Sequence, residues 1–412
     1  MQSVIRNPAV RSALVSSLLT GMALGAHADV VTEWNIKAGE LIVEAKLSTP
    51  PAIRVLAIVQ TAVHDATSSL TAQDRAAQRQ RPPGQGGAID ATVAAAHRTT
   101  LVTLLPAQRA SIEHAYQGAL ARIVDDRAKT AGIAAGEQAA AAVLAKRAND
   151  GTVSPAAYRP HATAGVYVPT ASPAVPQWSQ HKPWLMTTAA QFRPDSPPAL
   201  TSEVWARDYN EVKALGSKTS DQRSTEQVEM ARFWEYSLPP IYFGVVHSVA
   251  RLPGRSVPQN ARLFAAVAQA MDDAMISVFD AKYYYQFWRP VTAIRNGDVD
   301  GNDATEQNAA WTSFVEAPMH PEYPSAHSIL AGAVGAVLQA EVGEGPKPVL
   351  STTSPTANGA TRRWTKVDDF TREVGNARVY EGIHYRTSTE VGAAMGKQIG
   401  ELAVATLMQA PQ

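Results

Sequence analysis

The chain has 412 residues, of which 45% are hydrophobic and 18% charged, so it can bury a large core in one large helical domain or in two or three smaller units. Its formal net charge is zero, which argues against a general nucleic-acid-binding protein, since such proteins carry a basic face. The absence of cysteine excludes disulfides, thiolate metal sites and cysteine nucleophiles.

The first 28 residues have the pattern of an export signal. Arg6 and Arg11 give a positively charged start, an apolar stretch follows over 13–26, and the small-residue pattern Ala-His-Ala ends at Ala28. The apolar stretch is shorter than the ~20 residues that a membrane-spanning helix needs. We therefore expect residues 1–28 to be a signal peptide that is removed on export to the periplasm or the medium. We expect no membrane span in the mature chain, because no later apolar run is long enough.

Residues 29–150 form the predicted N-terminal helical region. Apolar residues recur there at the spacing of a buried helix face. This spacing predicts helices over 51–70, over 88–123 with a break near Pro106, and over 130–148.

The pattern changes over residues 151–200, where proline recurs and helical spacing disappears. Tyr167, Trp178 and Trp184 give this stretch apolar anchors. Loops of this length within a folded protein are usually functional or covering elements. We therefore predict an ordered, Pro-rich connection rather than a flexible linker.

Helical spacing returns over residues 201–412, the predicted C-terminal helical region. The predicted helices cover 201–215, 222–237, 257–288, 328–342, 365–381 and 387–408, and a Pro/Gly/Thr-rich loop covers 343–361. No segment shows the alternation typical of a β-strand. The sequence therefore predicts an all-α fold with two packed helical bundles.

The first polar cluster lies in "KYYYQFWRP", which runs from Lys282 to Pro290. Lys282 and Arg289 are seven residues apart, a spacing that would place them two turns along one helix face. Because two cations in a buried, aromatic-rich helix need an anionic partner, the pair is compatible with an anion site. An ion pair with a nearby carboxylate such as Asp280 is the alternative explanation.

The second cluster is "PSAH", Pro324 to His327, at the start of an apolar helix. Unpaired backbone N–H groups point outward at such a helix start, and the helix dipole favours an anion there. Ser325 adds a hydroxyl donor, although a simple N-cap explains a serine at this position equally well.

The third cluster is "ARVYEGIHYRTSTE", in which Arg378 and His384 lie on either side of Gly382. Six residues is not a same-face helical spacing, so Gly382 is predicted to break the helix and bring His384 toward Arg378. Thr387 and Glu390 have the spacing of a capping box, which predicts that the last helix begins after Thr387. A lone histidine is more often a core residue than a ligand.

Together the three clusters supply one lysine, two arginines, a serine, a helix N-terminus and two histidines. Fixed positive charges and N–H donors suit a tetrahedral oxyanion. A neutral histidine could add a covalent or coordinate bond to its central atom.

These motifs resemble those of vanadium-dependent haloperoxidases and type 2 phosphatidic acid phosphatases, which share K-x6-R-P, P-S-G-H and S-R-x5-H-x3-D. The chain has Lys282-x6-Arg289-Pro290, Pro324-Ser325-Ala326-His327 and Ala377-Arg378-x5-His384-x3-Ser388. The resemblance is specific over about 110 residues. It implies a haloperoxidase/acid-phosphatase-like fold and a vanadate cofactor, whose site phosphate can also occupy.

The resemblance also implies a role for each matched residue. His384 would coordinate vanadium, or attack phosphorus in a phosphatase. His327 would act as acid and base, and Lys282 would donate a hydrogen bond to peroxide. The oxyanion would be held by Lys282, Arg289, Arg378, Ser325 and the amide of Ala326.

Three positions depart from the motifs. Ala326 replaces a glycine, which leaves the amide in place, and Ala377 replaces a serine. Ser388 replaces the aspartate that orients the nucleophilic histidine of a phosphatase. Its loss should impair phosphoryl transfer more than vanadate binding, so the haloperoxidase function is preferred, unless another carboxylate takes the aspartate's place.

His320 lies seven residues before His327. Bromoperoxidases of the family resemble the chain in having a second histidine there, whereas chloroperoxidases have an aromatic residue. The implied reaction is therefore oxidation of halide, with bromide favoured, by hydrogen peroxide, followed by halogenation of an organic acceptor. The alternatives are an exported acid phosphatase with a histidine nucleophile and a non-catalytic phosphate- or vanadate-binding protein. The sequence leaves open whether the chain forms a homo-oligomer.

Overall fold

The computed structural model describes residues 29–70, 87–124, 126–343 and 347–409. The predicted signal peptide therefore lies outside the described residues. Among the helices of those four stretches, none is long and apolar enough to cross a membrane.

Helices dominate the described residues, and the prediction of an all-α fold is confirmed. In chain order the helices are α1 (Val30–Glu44), α2 (Thr49–Ser68), α3 (Ala88–Leu104), α4 (Arg109–Ala121), α5 (Arg127–Arg147), α6 (Glu203–Leu215), α7 (Thr225–Trp234), α8 (Pro240–Ala250), α9 (Val257–Tyr285), α10 (Pro290–Arg295), α11 (Ala326–Val342), α12 (Val367–Tyr380) and α13 (Arg386–Ala403). The helix break predicted near Pro106 is present, whereas α1, α8 and α10 were not predicted.

Helix α9 lies at the centre of the fold. A capping box fixes its start, because the Ser256 amide donates to Gln259 Oε1 at 2.8 Å and the Gln259 amide donates back to Ser256 Oγ. The helix packs against α2 from the N-terminal half and against α11 and α13 from the C-terminal half. One hydrophobic core therefore runs from the first half of the chain into the second.

The end of α9 differs from the prediction. The predicted helix over 257–288 stops at Tyr285, and Gln286 takes a left-handed conformation with φ of 51°. Arg289 instead precedes α10, so it does not share a helix face with Lys282. Pro290 disfavours helical geometry at Arg289, and the Pro-rich connection holds the chain after α9, because the Tyr167 amide donates to the Gln286 carbonyl and the Trp288 amide donates to the Gly165 carbonyl. Asp280, the alternative partner for the two cations, pairs with Arg193.

The Pro-rich connection is fastened to α9. Asp273 accepts hydrogen bonds from the backbone amides of Trp184, Leu185 and Met186 at 2.7 to 2.9 Å. The neighbouring Asp272 accepts one from Trp184 Nε1 at 2.7 Å. Two carboxylates on the central helix thus hold this long loop across the core.

A short hairpin lies where the sequence predicts only a loop. Strands β1 (Leu350–Ser354) and β2 (Ala360–Trp364) pair antiparallel. The turn contains Asn358 and Gly359, with φ of 52° and 76°. Asn-Gly is a strong hairpin signal, which the expectation of a loop overlooked.

Helices α11 and α13 lie close together because of small residues. A Cβ atom on Gly396 would lie 2.0 Å from the Ile329 carbonyl oxygen. The two helix starts also meet, since the Ser325 amide donates to the Ser388 carbonyl at 3.1 Å. This packing brings the second and third polar clusters side by side.

The start of α13 is not the predicted capping box. The helix begins at Arg386, and Tyr385 occupies the N-cap position without a side-chain hydrogen bond. The Thr387 amide donates instead to Asp208 Oδ2 of α6 at 2.9 Å, and the Thr387 hydroxyl accepts from Arg207. A tertiary contact therefore replaces the local cap.

Candidate active site

The three polar clusters converge around a cavity of about 190 Å³. His320, Ala326, His327, Arg378 and His384 contribute to its wall. Arg289 reaches the same place by contacting His320 and His384. The opposite wall is more apolar and includes Met275 and Phe279 of α9.

Lys282 is fully buried at the C-terminal end of α9. Its ammonium donates to the carbonyls of Pro321 and Glu322 at 2.9 and 2.7 Å. Burial, together with the charge of Arg289, lowers the pKa of Lys282 well below its ordinary value. Two of its three N–H donors hold the loop before α11, which leaves one for a ligand.

Arg289 crosslinks the loops that carry the histidines. Its Nε donates to the His320 carbonyl at 3.0 Å, and Nη1 donates to the Ile383 carbonyl at 2.8 Å. Burial lowers the pKa of Arg289 to about 10, so the guanidinium stays charged at neutral pH.

The tautomer of His384 follows from its two neighbours. Arg289 Nη1 lies 3.3 Å from His384 Nε2, and arginine can only donate, so Nε2 carries a lone pair. The ring proton is then on Nδ1, which donates to Glu322 Oε1 at 2.7 Å. Gly382 allows this placement, because its φ of 79° ends α12 and turns the chain toward the cavity.

His384 is neutral in this environment. Burial lowers its pKa well below the ordinary value, and the charges of Arg289, Lys282 and Arg378 lower it further. A neutral imidazole with a free Nε2 lone pair is the form that coordinates a metal or attacks an electrophile.

His327 and the first residues of α11 form a second wall. Burial and the charge of Arg378 lower the pKa of His327 well below its ordinary value. Its Nε2 atom is buried without a hydrogen-bond partner. Ser325 is the N-cap of α11, and the Ala326 amide in the first turn has no intrahelical acceptor.

Arg378 is paired with a buried carboxylate. Its Nη1 donates to Glu381 Oε1 at 2.8 Å and to the Trp234 carbonyl at 2.8 Å. Glu381 Oε2 also lies 2.6 Å from Nη1, without the angle of a second hydrogen bond. Burial raises the pKa of Glu381 to about 8, although Arg378 opposes the shift. Arg378 Nε has no partner and is buried.

Sequence reasoning missed both carboxylates of the site. It counted three positive charges, whereas Glu322 and Glu381 are both fully buried beside them. Burial raises the pKa of Glu322 to about 7, against the opposing charges of Lys282 and Arg289. Glu381 could have been found, since it lies three residues after Arg378, an ion-pair spacing on a helix.

His320 accepts a hydrogen bond at Nδ1 from Arg289 Nη2 at 3.0 Å. Its proton is therefore on Nε2, and the Pro321 carbonyl 3.1 Å from Nδ1 is not a hydrogen-bond partner. The ring packs edge-on against Phe279, with ring centroids 5.2 Å apart. His320 thus lies beside both Arg289 and the cavity.

We expect Glu381→Gln to strengthen oxyanion binding at alkaline pH. Below about pH 8 the wild-type Glu381 is protonated, and above it the carboxylate repels an anion near Arg378. At about pH 9 the variant should bind sulfate on the order of tenfold more tightly than the wild type, with little difference near pH 6. Sulfate is the probe because its charge does not change over this range.

Titration calorimetry at both pH values measures this effect. Glu113→Gln is the matched control, because Glu113 forms its ion pair with Arg98, away from the site. Equal sulfate affinities for the wild type and Glu381→Gln at alkaline pH would show that Glu381 does not repel the bound anion.

Residues 262–412 match the family model of the VCPO second helical-bundle domain, and this segment includes all the predicted site residues. A curated relative, the vanadium chloroperoxidase of Curvularia inaequalis, is 28% identical over 200 residues, which cover 39% of this chain and 32% of that enzyme. The C-terminal part of the chain is therefore similar to vanadium haloperoxidases, and the match spans about a third of the length of the curated relative.

Two solved structures share the fold over most of the chain. A bacterial vanadium-dependent iodoperoxidase aligns with a TM-score of 0.72 and 23% identity, covering 91% of this chain and 96% of its own. A holo-type bacterial vanadium-dependent chloroperoxidase aligns with a TM-score of 0.68 and 17% identity, covering 88% and 93%. At these identities the likeness establishes the haloperoxidase fold.

Proposed function

We propose that the protein is a vanadate-dependent haloperoxidase that oxidises halide with hydrogen peroxide. Halide and peroxide, with one proton, would give hypohalous acid and water. The observation that carries the proposal is the convergence of Lys282, Arg289 and Arg378 on a buried, neutral histidine, His384, whose Nε2 is unprotonated.

The residues of the site fit vanadate. The three cations, the Ser325 hydroxyl and the Ala326 amide would hold its oxygens, and His384 Nε2 would bind the metal. Within the described residues, His327 Nε2 and Arg378 Nε are buried polar atoms without hydrogen-bond partners, as expected of groups that serve a ligand. When bound, vanadate would supply a Lewis-acidic centre that activates peroxide without a redox-active side chain.

The remaining chemistry falls to the chain itself. His327 would take a proton from peroxide at Nε2, since this atom is unpaired and the ring is neutral. Lys282 would use its third N–H to polarise the reacting oxygen. The apolar wall around Met275 and Phe279 would limit access of water.

Bromide is the halide we propose, because His320 lies beside the cavity where its Nε2–H could assist halide binding. We also propose that residues 1–28 direct export of the protein.

Reconstitution with orthovanadate tests the function. Protein freed of bound oxyanion should gain bromination of a β-diketone when vanadate, peroxide and bromide are all present, and should lose it when any one is omitted. A parallel assay follows hydrolysis of p-nitrophenyl phosphate without vanadate. Hydrolysis without halogenation would contradict the proposal, and vanadate binding without either activity would indicate a binding protein.

A second function, phosphatase activity, is supported by Glu322. Because position 388 has no aspartate, the sequence favours the haloperoxidase over the phosphatase. In the structure, however, Glu322 makes the carboxylate contact to His384 Nδ1 at 2.7 Å. A histidine nucleophile needs such a partner. Ser388 therefore gives no reason to prefer one activity over the other, and the halogenation and hydrolysis assays distinguish them.

A further inference from the structure

The buried carboxylate that contacts His384 comes from an unexpected part of the chain. In the motif of the third cluster, the acidic residue follows the histidine by four positions, but the chain has Ser388 there. Ser388 is buried, and its hydroxyl lies beside the Glu322 carboxylate, whose pKa it helps to lower. Glu322, 62 residues before His384, accepts the Nδ1–H bond instead.

Glu322 is held firmly enough to orient the ring. Its Oε1 accepts both His384 Nδ1–H at 2.7 Å and the Tyr385 amide at 3.1 Å. Its backbone amide donates to the Phe287 carbonyl at 2.8 Å, and its carbonyl accepts from Lys282 Nζ at 2.7 Å. Both ends of the residue are thus tied to fixed parts of the site.

Two contacts on opposite sides of the His384 imidazole determine its tautomer. Arg289 occupies the Nε2 side and keeps that nitrogen unprotonated, while Glu322 keeps the proton on Nδ1. Without Glu322, the Nδ1 proton would have no acceptor and the tautomer with Nε2–H would become accessible. That tautomer has no lone pair for a metal or for phosphorus.

We propose that Glu322 is the positioning residue of His384. Glu322 lies in the loop before α11 and supplies the carboxylate that position 388 of α13 lacks. This inference rests on the oxyanion site proposed above. Lys282 also supports Glu322, since its ammonium donates to the Glu322 backbone carbonyl.

The tautomer can be observed directly in the oxyanion-free protein. Long-range ¹H–¹⁵N spectra of histidine-labelled protein should show His384 protonated at Nδ1, with His384→Ala used to assign its signal. In Glu322→Ala the signal should shift toward the Nε2–H form. A wild-type His384 protonated at Nε2 would overturn the proposal whatever the enzyme's activity.

Vanadate affinity gives a second measurement. Glu322→Ala should bind orthovanadate 10- to 100-fold more weakly than the wild type, the usual cost of losing a residue that orients a metal ligand. Ser388→Ala should cost less than about threefold, since the His384 ring bonds to Glu322 and the Ser388 hydroxyl contacts only that carboxylate within the described residues. Equal losses in these two variants would contradict the role given to Glu322.

A double variant tests whether the carboxylate can be moved. Ser388→Asp in the Glu322→Ala background should recover at least about tenfold of the lost vanadate affinity and restore the Nδ1–H tautomer. Circular dichroism establishes that each variant is folded. A folded double variant no better than Glu322→Ala would refute the replacement.

The outcomes separate this inference from the proposed function. If the wild type neither halogenates nor hydrolyses, yet the tautomer and vanadate affinity change as expected, the function fails and the role of Glu322 stands. If halogenation is observed but Glu322→Ala changes neither measurement, the role of Glu322 fails and the function stands.

Discussion

His384→Ala should abolish both halogenation and phosphate-ester hydrolysis, with a loss of at least about a thousandfold. His384 supplies the only Nε2 lone pair in the described site that lies between the three cations and is held in place by Glu322. The other site histidines cannot replace it, because His320 carries its proton on Nε2 and His327 lies on α11. Steady-state rates in both assays measure the loss, and vanadate affinity should fall in parallel.

His64→Ala is the control for this variant. His64 lies on α2 and is half-buried, and within the described stretches its ring has a 3.4 Å hydrogen-bond contact from Nδ1 to Ser68 Oγ. Its removal should leave both rates within about twofold of the wild type, as for a substitution away from the site. A folded His384→Ala variant within about tenfold of the wild-type rate would show that the site is assigned wrongly.

The second large effect is expected for Arg289→Lys. The guanidinium donates to the carbonyls of His320 and Ile383 and also contacts the rings of His320 and His384. A lysine ammonium is a point donor and cannot span these positions. We expect oxyanion affinity to fall by about a hundredfold or more, and the free energy of unfolding to fall by ~2–4 kcal/mol as buried carbonyls lose their donors.

Vanadate titration measures the change in oxyanion affinity, and urea unfolding measures the change in the free energy of unfolding. Arg295→Lys is the matched control at the other end of the short helix α10, since Arg295 is exposed and, within the described residues, its side chain donates to the Trp311 carbonyl. It should leave oxyanion affinity unchanged within about twofold. Wild-type affinity in a folded Arg289→Lys variant would mean that the guanidinium geometry is not needed.

Much of the site could be predicted because its groups are carried by short local motifs. Arg378, Gly382 and His384 lie within seven residues, and the glycine break that brings them together is a local property of the backbone. The start of α11 after Pro324 is local as well. The helical class of the fold followed from the spacing of apolar residues over many turns.

Other features depended on contacts that sequence spacing does not encode. The seven-residue spacing of Lys282 and Arg289 suggested one helix, yet a left-handed Gln286 separates them. The cap of α13 is supplied by Asp208 from α6, a partner 179 residues from Thr387 in the chain. In both cases tertiary packing overrode a local signal of modest energy.

The sequence by itself determined which charged groups and which histidines are available for an oxyanion, and that the chain around them is helical. Only the tertiary structure decided their charge balance and their protonation. Glu322 and Glu381 are buried beside the cations, and Arg289 and Glu322 together leave His384 with an unprotonated Nε2. The physical reason is that pKa values and tautomers depend on burial and on partners within a few ångströms, and folding brings those partners together from distant positions in the chain.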